Sequence, residues 1–138
     1  MTQSGDFNYT EVKQFGDHRS SVVVQRGNHN FAFNNGEGTA PFTQSTILQS
    51  GNSNLAILGQ YGSGEVSLID QSGDSNSANI VQVGLNDSST VNQPDSFNTA
   101  NVNQNGPNNS SLVTQARTNG IVTVNQNFRP SARLGPRP

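Results

Sequence analysis

Cysteine and tryptophan are both absent from these 138 residues, and charged side chains make up only 12% of the chain. Without cysteine there is neither a disulfide framework nor a thiolate metal site. The net charge is -2, Lys13, Arg19, Arg26 and Arg117 are scattered, and the three other basic residues follow Asn127. The body therefore carries no basic patch of the kind that nucleic acid requires. No stretch approaches the ~20 apolar residues of a membrane span, and no signal-peptide apolar region is present. Leu, Ile, Val and Phe number 31, close to the level at which a chain is too polar to fold. Disorder, however, also goes with high net charge and absence of period, and neither holds here.

Asparagine and glutamine together number 32, and the glutamines are ordered. Eleven of the twelve lie on an 11-residue ruler: Gln3, Gln14 and Gln25, then, after a two-residue slip, Gln49, Gln60, Gln71, Gln82, Gln93, Gln104, Gln115 and Gln126. Such spacing marks a repeat whose units must stack to bury their faces. Two residues after the glutamine stands glycine in eight of eleven repeats, including Gly51, Gly62, Gly73, Gly84 and Gly106, which marks a tight turn. Two residues before it runs an aliphatic series from Val12 through Ile47, Leu58 and Ile69 to Val124.

Four residues before the glutamine, alanine (Ala32, Ala56, Ala78, Ala100) alternates with serine (Ser21, Ser67, Ser89, Ser111), so the true period is 22. In the alanine halves the position two residues earlier is Asn30, Asn54, Asn76 or Asn98; in the serine halves it is Arg19, Glu65, Asp87 or Asn109. Positions that differ by two share one face of an extended strand and would scatter round a helix. The expected fold is all-β: a two-sided β-solenoid of about six strand-turn-strand-turn coils, stacked at ~4.8 Å with like residues above one another. All six prolines fall outside the strands, as a hydrogen-bonded ladder demands.

The pattern divides the chain into N-terminal coils (1-33), an irregular or looped coil (34-46), the main solenoid (47-127) and a Pro/Arg-rich tail (128-138). In the irregular stretch Gly36 or Gly38 stands where a glutamine is due, Asn34 replaces the aliphatic residue and Pro41 interrupts. It reads either as a bulged coil or as a boundary between two solenoids.

The unit Q-x-G-x-x-N-x-A-x-x-x-Q, carried by Gln49, Gly51, Asn54, Ala56 and Gln60 and again by Gln71, Gly73, Asn76, Ala78 and Gln82, resembles the curlin repeat. Curlins are the secreted subunits of curli, the functional amyloid fibres of bacterial biofilm matrix. The resemblance spans roughly residues 3 to 126. It implies an extracellular fibre subunit that polymerises end to end, with a nucleator subunit and secretion chaperones as partners. A leader would then precede this sequence, with Met1 an added start. Gly51-Asn52-Ser53 and Gly73-Asp74-Ser75 lack the second glycine of many curlin turns, and Arg117, Gly120 and Val122 depart from the motif in the last half-repeat.

Against that reading stand the chemical ones. His18 and His29 are 11 apart and fall in turns at opposite edges of a coil, too separated to share a metal. The serines lack a histidine base and an orienting acid. Glu65 and Asp87, one period apart, stack in adjacent coils and read as charge gatekeepers rather than as an acid/base pair. The ruler glutamines, with Asn54, Asn76, Asn98 and Asn109, read as structural amide ladders. No catalytic residue, cofactor or metal site is expected. Outward apolar residues (Val22, Val24, Phe31, Phe33, Leu55, Ile57, Val66, Leu68) form either an adhesion stripe or a satellite core under the 34-46 loop. The rival functions are a monomeric solenoid that binds ice or glycan through a uniform outward column, and a solenoid segment of a larger adhesin.

Overall fold

A computed structural model describes residues 1-38 and 42-127. Twelve strands follow one another: β1 (Thr2–Ser4), β2 (Tyr9–Phe15), β3 (Arg19–Arg26), β4 (Phe31–Glu37), β5 (Thr43–Ser50), β6 (Leu55–Ser63), β7 (Val66–Ser72), β8 (Ser77–Leu85), β9 (Ser88–Gln93), β10 (Thr99–Asn105), β11 (Ser110–Thr114) and β12 (Ile121–Asn127). They form two six-stranded sheets, one of odd strands in the order β1-β3-β5-β7-β9-β11 and one of even strands. Every pairing between them is parallel and in register, as with Ala56 beside Ala78 and Gln60 beside Gln82. This is a two-sheet parallel β-solenoid of six coils.

Both sheets run unbroken through the stretch expected to be irregular. Asn34 pairs with Leu58 and Gly36 with Gln60 inside β4, and Thr43 already belongs to β5. The two extra residues thus fall in the turn between β4 and β5, of which 39-41 lie outside the described residues. The register lengthens there from 22 to 24, since Gln25 pairs with Gln49. The tail, 128-138, also lies outside the described residues.

The interior is thin and half polar. Val23, Ile47, Ile69 and Val91 from the odd sheet and Leu58, Ile80 and Val102 from the even sheet meet with the four alanines. Beside them Gln25, Gln49, Gln60, Gln71, Gln82, Gln93 and Gln104 are at most 1% exposed. Burying an amide without partners costs about 1–3 kcal/mol, so these side chains can be inside only if their bonds are made. The turns close tightly for a related reason: Gly51 adopts φ 105°, and a Cβ on it would stand 2.2 Å from the carbonyl oxygen of Gly73 in the next coil. A side chain there would separate the coils.

Position four after the glutamine also turns left-handed, at Phe7, His18, His29, Ser53, Ser75, Asn86, Phe97, Asn108 and Asn119. Asparagine tolerates that conformation; phenylalanine does not favour it. Phe7 lies in the column of His29, their rings stacked at 5.0 Å, so stacking along the axis offsets part of the strain.

Gln82 tests the interior directly. It is fully buried, accepts from Gln60 Nε2 and Ser67 Oγ, and donates to Gln104 Oε1 and the Val66 carbonyl. Gln82→Ala should lower unfolding stability by roughly 1–3 kcal/mol, while Ser88→Ala, on an exposed outward position, should leave it within about 0.5 kcal/mol. Denaturant midpoints of the two variants check this, and equal shifts would overturn the facing of β8 and β9.

Candidate functional site

Three features of the solenoid carry chemistry: its amide ladders, the two ends at which they stop, and one column of buried charge. In the odd sheet an unbroken glutamine ladder runs from Gln3 through Gln25, Gln49, Gln71 and Gln93 to Gln115, with Nε2-to-Oε1 distances of 2.6–2.9 Å. Each Nε2 donates toward the C-terminal coil. From Gln25 on, the second hydrogen goes to a backbone carbonyl of the facing strand, as from Gln71 to Leu55 and from Gln93 to Ser77. The even sheet has the same ladder over Gln60, Gln82, Gln104 and Gln126. One of the repeat's serines supports this ladder. Ser67, facing the even ladder, accepts from Gln60 Nε2 and donates to Gln82 Oε1 at 2.5 Å.

A second ladder lines one set of turns. Asn8, Asn30, Asn54 and Asn76 each accept, on Oδ1, the backbone N–H of the asparagine one coil on, and Asn98 accepts that of Gly120, at 2.8–3.0 Å. The Nδ2 groups of Asn8, Asn30 and Asn54 donate to Gly27, Gly51 and Gly73 of the next turn. Asn8, Asn30 and Asn54 thus each tie two coils together twice.

The even ladder breaks at Gly36, and the structure fills the break in a way the sequence does not announce. A Cβ on Gly36 would stand 2.9 Å from Arg19 Nη1, and one on Gly38 2.6 Å from Arg19 Nη2. The guanidinium occupies the volume a glutamine would need and donates to the Gly62 carbonyl at 3.3 Å. Asn34, in an aliphatic position, donates its Nδ2 across the core to Ser21 and Ser45 at 2.7 and 2.6 Å, while its Oδ1 has no partner among the described residues.

Arg19 begins the column that continues through Thr43, Glu65 and Asp87 to Asn109, all in the second set of turns. Glu65 and Asp87 are both 0% exposed. Asp87 Oδ1 performs the acceptor half of the asparagine role, taking bonds from Asn109 N at 2.8 Å and Asn109 Nδ2 at 3.1 Å. Among the described residues Asp87 Oδ2, both Glu65 oxygens, Thr43 Oγ1 and Arg19 Nε and Nη1 make no well-formed hydrogen bond. Two carboxylates against one guanidinium leave one negative charge in excess, which a single proton removes. Burial, reinforced by the Asp87 charge and opposed by the Gly84 amide and Arg19, pushes the Glu65 carboxyl up to about 7.

The two histidines lie in turns at opposite edges of coils, each against phenylalanine: Phe7 for His29, Phe42 for His18. Among the described residues no three His, Asp or Glu side chains converge. The outward apolar residues divide between the two faces. Val22, Val24, Val66 and Leu68 lie on the odd sheet; Phe31, Phe33, Leu55 and Ile57 lie on the even sheet. No one loop can cover both, and Val22, Phe31 and Val66 are 45%, 38% and 45% exposed. The outward columns are mixed along the axis, for example Val22, Thr46, Leu68, Thr90 in the odd sheet.

Among the described residues β1 and β2 form the edge at one end and β11 and β12 the edge at the other. Because both glutamine ladders donate toward the C-terminal coil, these two edges differ. At the first, Gln3 Oε1 accepts from no described residue. At the other, Gln115 and Gln126 use one Nε2 hydrogen on the Thr99 and Ser110 carbonyls, and the second has no acceptor among the described residues.

No family model, no curated protein and no solved structure matches this chain.

The buried column makes stability depend on pH. Glu65 binds its proton more tightly folded (about 7) than unfolded (4.5), so stability is greatest below about pH 4.5, falls as pH rises through 7 and levels above it. Glu65→Gln should remove that slope and raise stability at pH 8 by roughly 1–3 kcal/mol. Asp74→Asn, at an exposed turn carboxylate that bonds Asn52, should leave the slope intact. Urea midpoints between pH 4 and 8 decide it; an unchanged slope in Glu65→Gln contradicts the buried-column account.

Proposed function

We propose that this chain is a structural subunit that assembles end to end into extracellular, curli-like amyloid fibres of biofilm matrix, and that its resemblance to curlins is one of function. Its partner is then another copy of itself, with a nucleator subunit and secretion chaperones expected from the resemblance; adhesion and aggregation follow from the fibre. Its activity is assembly rather than catalysis.

One observation carries the reading: the glutamine ladders are unidirectional and, among the described residues, run to the edge strands at both ends, so the two ends complement each other. A copy stacked on the C-terminal coil would bring Gln3 Oε1 over the free Gln115 hydrogen and Gln14 over Gln126. It would also set Val12 over Val124 and Tyr9 over Ile121, continuing β12 into β2. Two like ends would bring donor to donor or acceptor to acceptor. Contact between unlike ends repeats without closing and yields a filament. Open parallel edges are what monomeric solenoids must cap. An ice- or glycan-binding array is supported less well, because it needs a uniform outward column and these columns are mixed.

Dilution from denaturant should give unbranched filaments with a ~4.8 Å meridional reflection. Electron microscopy and fibre diffraction provide the test. A folded monomer that persists for days at high concentration contradicts the reading.

A further inference from the structure

The asparagine ladder weakens toward the C-terminal end, one rung at a time. Asn8, Asn30 and Asn54 make both inter-coil bonds, to the next backbone N–H and to the next turn glycine. Asn76 keeps the first bond, but Asp95 stands where a glycine carbonyl would receive its amide, and Asn76 Nδ2 has no partner. Asn98 binds the backbone N–H of Gly120, and its Nδ2 reaches only Asp95 of its own turn. The sixth rung is Gly120, with no amide at all, in a turn where Arg117 replaces the glycine.

We infer that Gly120 makes the C-terminal end an incomplete docking site for a second copy, leaving the joint between subunits without either asparagine turn bond, whereas every interface between coils inside one keeps at least one. The inference rests on the end-to-end reading. Every earlier asparagine offers Oδ1 to the backbone N–H one coil on. At a joint that N–H belongs to Asn8 of the incoming copy, and Gly120 offers it nothing. The first three asparagines also give Nδ2 to the next turn glycine, which at the joint is Gly5. The joint keeps its glutamine bonds and its strand pairing and loses both turn bonds at this edge. Subunit exchange and breakage would then concentrate at the joints, while the coils inside each subunit stay intact.

The remedy is in the molecule itself. Asparagine at 120 would repeat its column. A Cβ there meets the side-chain ends of Asn98 and Gln115, each at 3.0 Å, and the Arg117 carbonyl at an ordinary 3.7 Å, so the two side chains need give by only a few tenths of an ångström. Serine is a smaller substitute with a precedent in a neighbouring turn column, where Ser96 Oγ accepts the Asp74 N–H at 2.9 Å. Alanine adds bulk without an acceptor.

The experiment measures the soluble concentration left in equilibrium with filaments of the whole chain and of Gly120→Asn, Gly120→Ser and Gly120→Ala. Restoring two hydrogen bonds per joint should lower it about tenfold for asparagine, less for serine, and not at all for alanine. If the parent forms filaments and asparagine and serine leave that concentration unchanged, or alanine lowers it as far, the incomplete-rung inference is wrong while end-to-end assembly stands. If the parent forms no filaments, both fall.

Discussion

The structure depends on a glutamine side chain that has as many hydrogen-bonding obligations as the architecture has directions. Its Oε1 faces the coil before, one Nε2 hydrogen faces the coil after, and the other reaches across to the facing sheet. A buried amide that makes all three bonds avoids the desolvation penalty and fixes register at once. Aliphatic side chains alone could not do this, since a two-residue slip along a strand would keep the same face inward but would take each glutamine off its partner. Bonded at 2.6–3.2 Å over successive coils, the ladder also gives the stack a polarity that its shape lacks.

That polarity joins fold to proposed function. A hydrophobic interface between two such ends would be indifferent to direction; a row of amides is not. The features that depart from the repeat bear on the same point. Glu65 and Asp87 put two acids in one turn column, and Gly120 removes an amide from the other, so both loosen a stack that the glutamines would otherwise hold uniformly. The two act differently. The carboxylates act within the chain and respond to protons, whereas Gly120 would act only at the proposed joint between copies.

The repeat was legible because its signals are periodic. Glutamine, glycine and the alanine/serine alternation mark the two sheets, their facing and their register, and the parity rule places the ladder residues inside. What the sequence concealed are compensations between residues far apart in the pattern. Nothing local says that Arg19 fills the gap left by Gly36, seventeen positions later, or that Asn34 Nδ2 bonds serines of the opposite sheet; both depend on side chains crossing a thin core. The irregular stretch looked longer than it is, because Asn34 and Gly36 broke the residue pattern without breaking the strand. Left-handed turn positions were likewise obscured at Phe7 and Phe97, although asparagine, serine and glycine elsewhere in those columns signal them. The tail lies beyond this comparison.

The central claim is that unlike ends meet in register, and the absence of cysteine makes it directly measurable. Neighbouring parallel strands lie ~4.8 Å apart, within the range that a disulfide bridges. Continuing β12 into β2 of the next copy would set Asn125 beside Lys13, both exposed on the outward face. A chain carrying Lys13→Cys and Asn125→Cys, assembled and then oxidised, should give a ladder of covalent oligomers on a denaturing gel. Each single variant should remain monomeric. Dimers from either single variant, or no cross-linking in filaments of the double variant, would contradict the account.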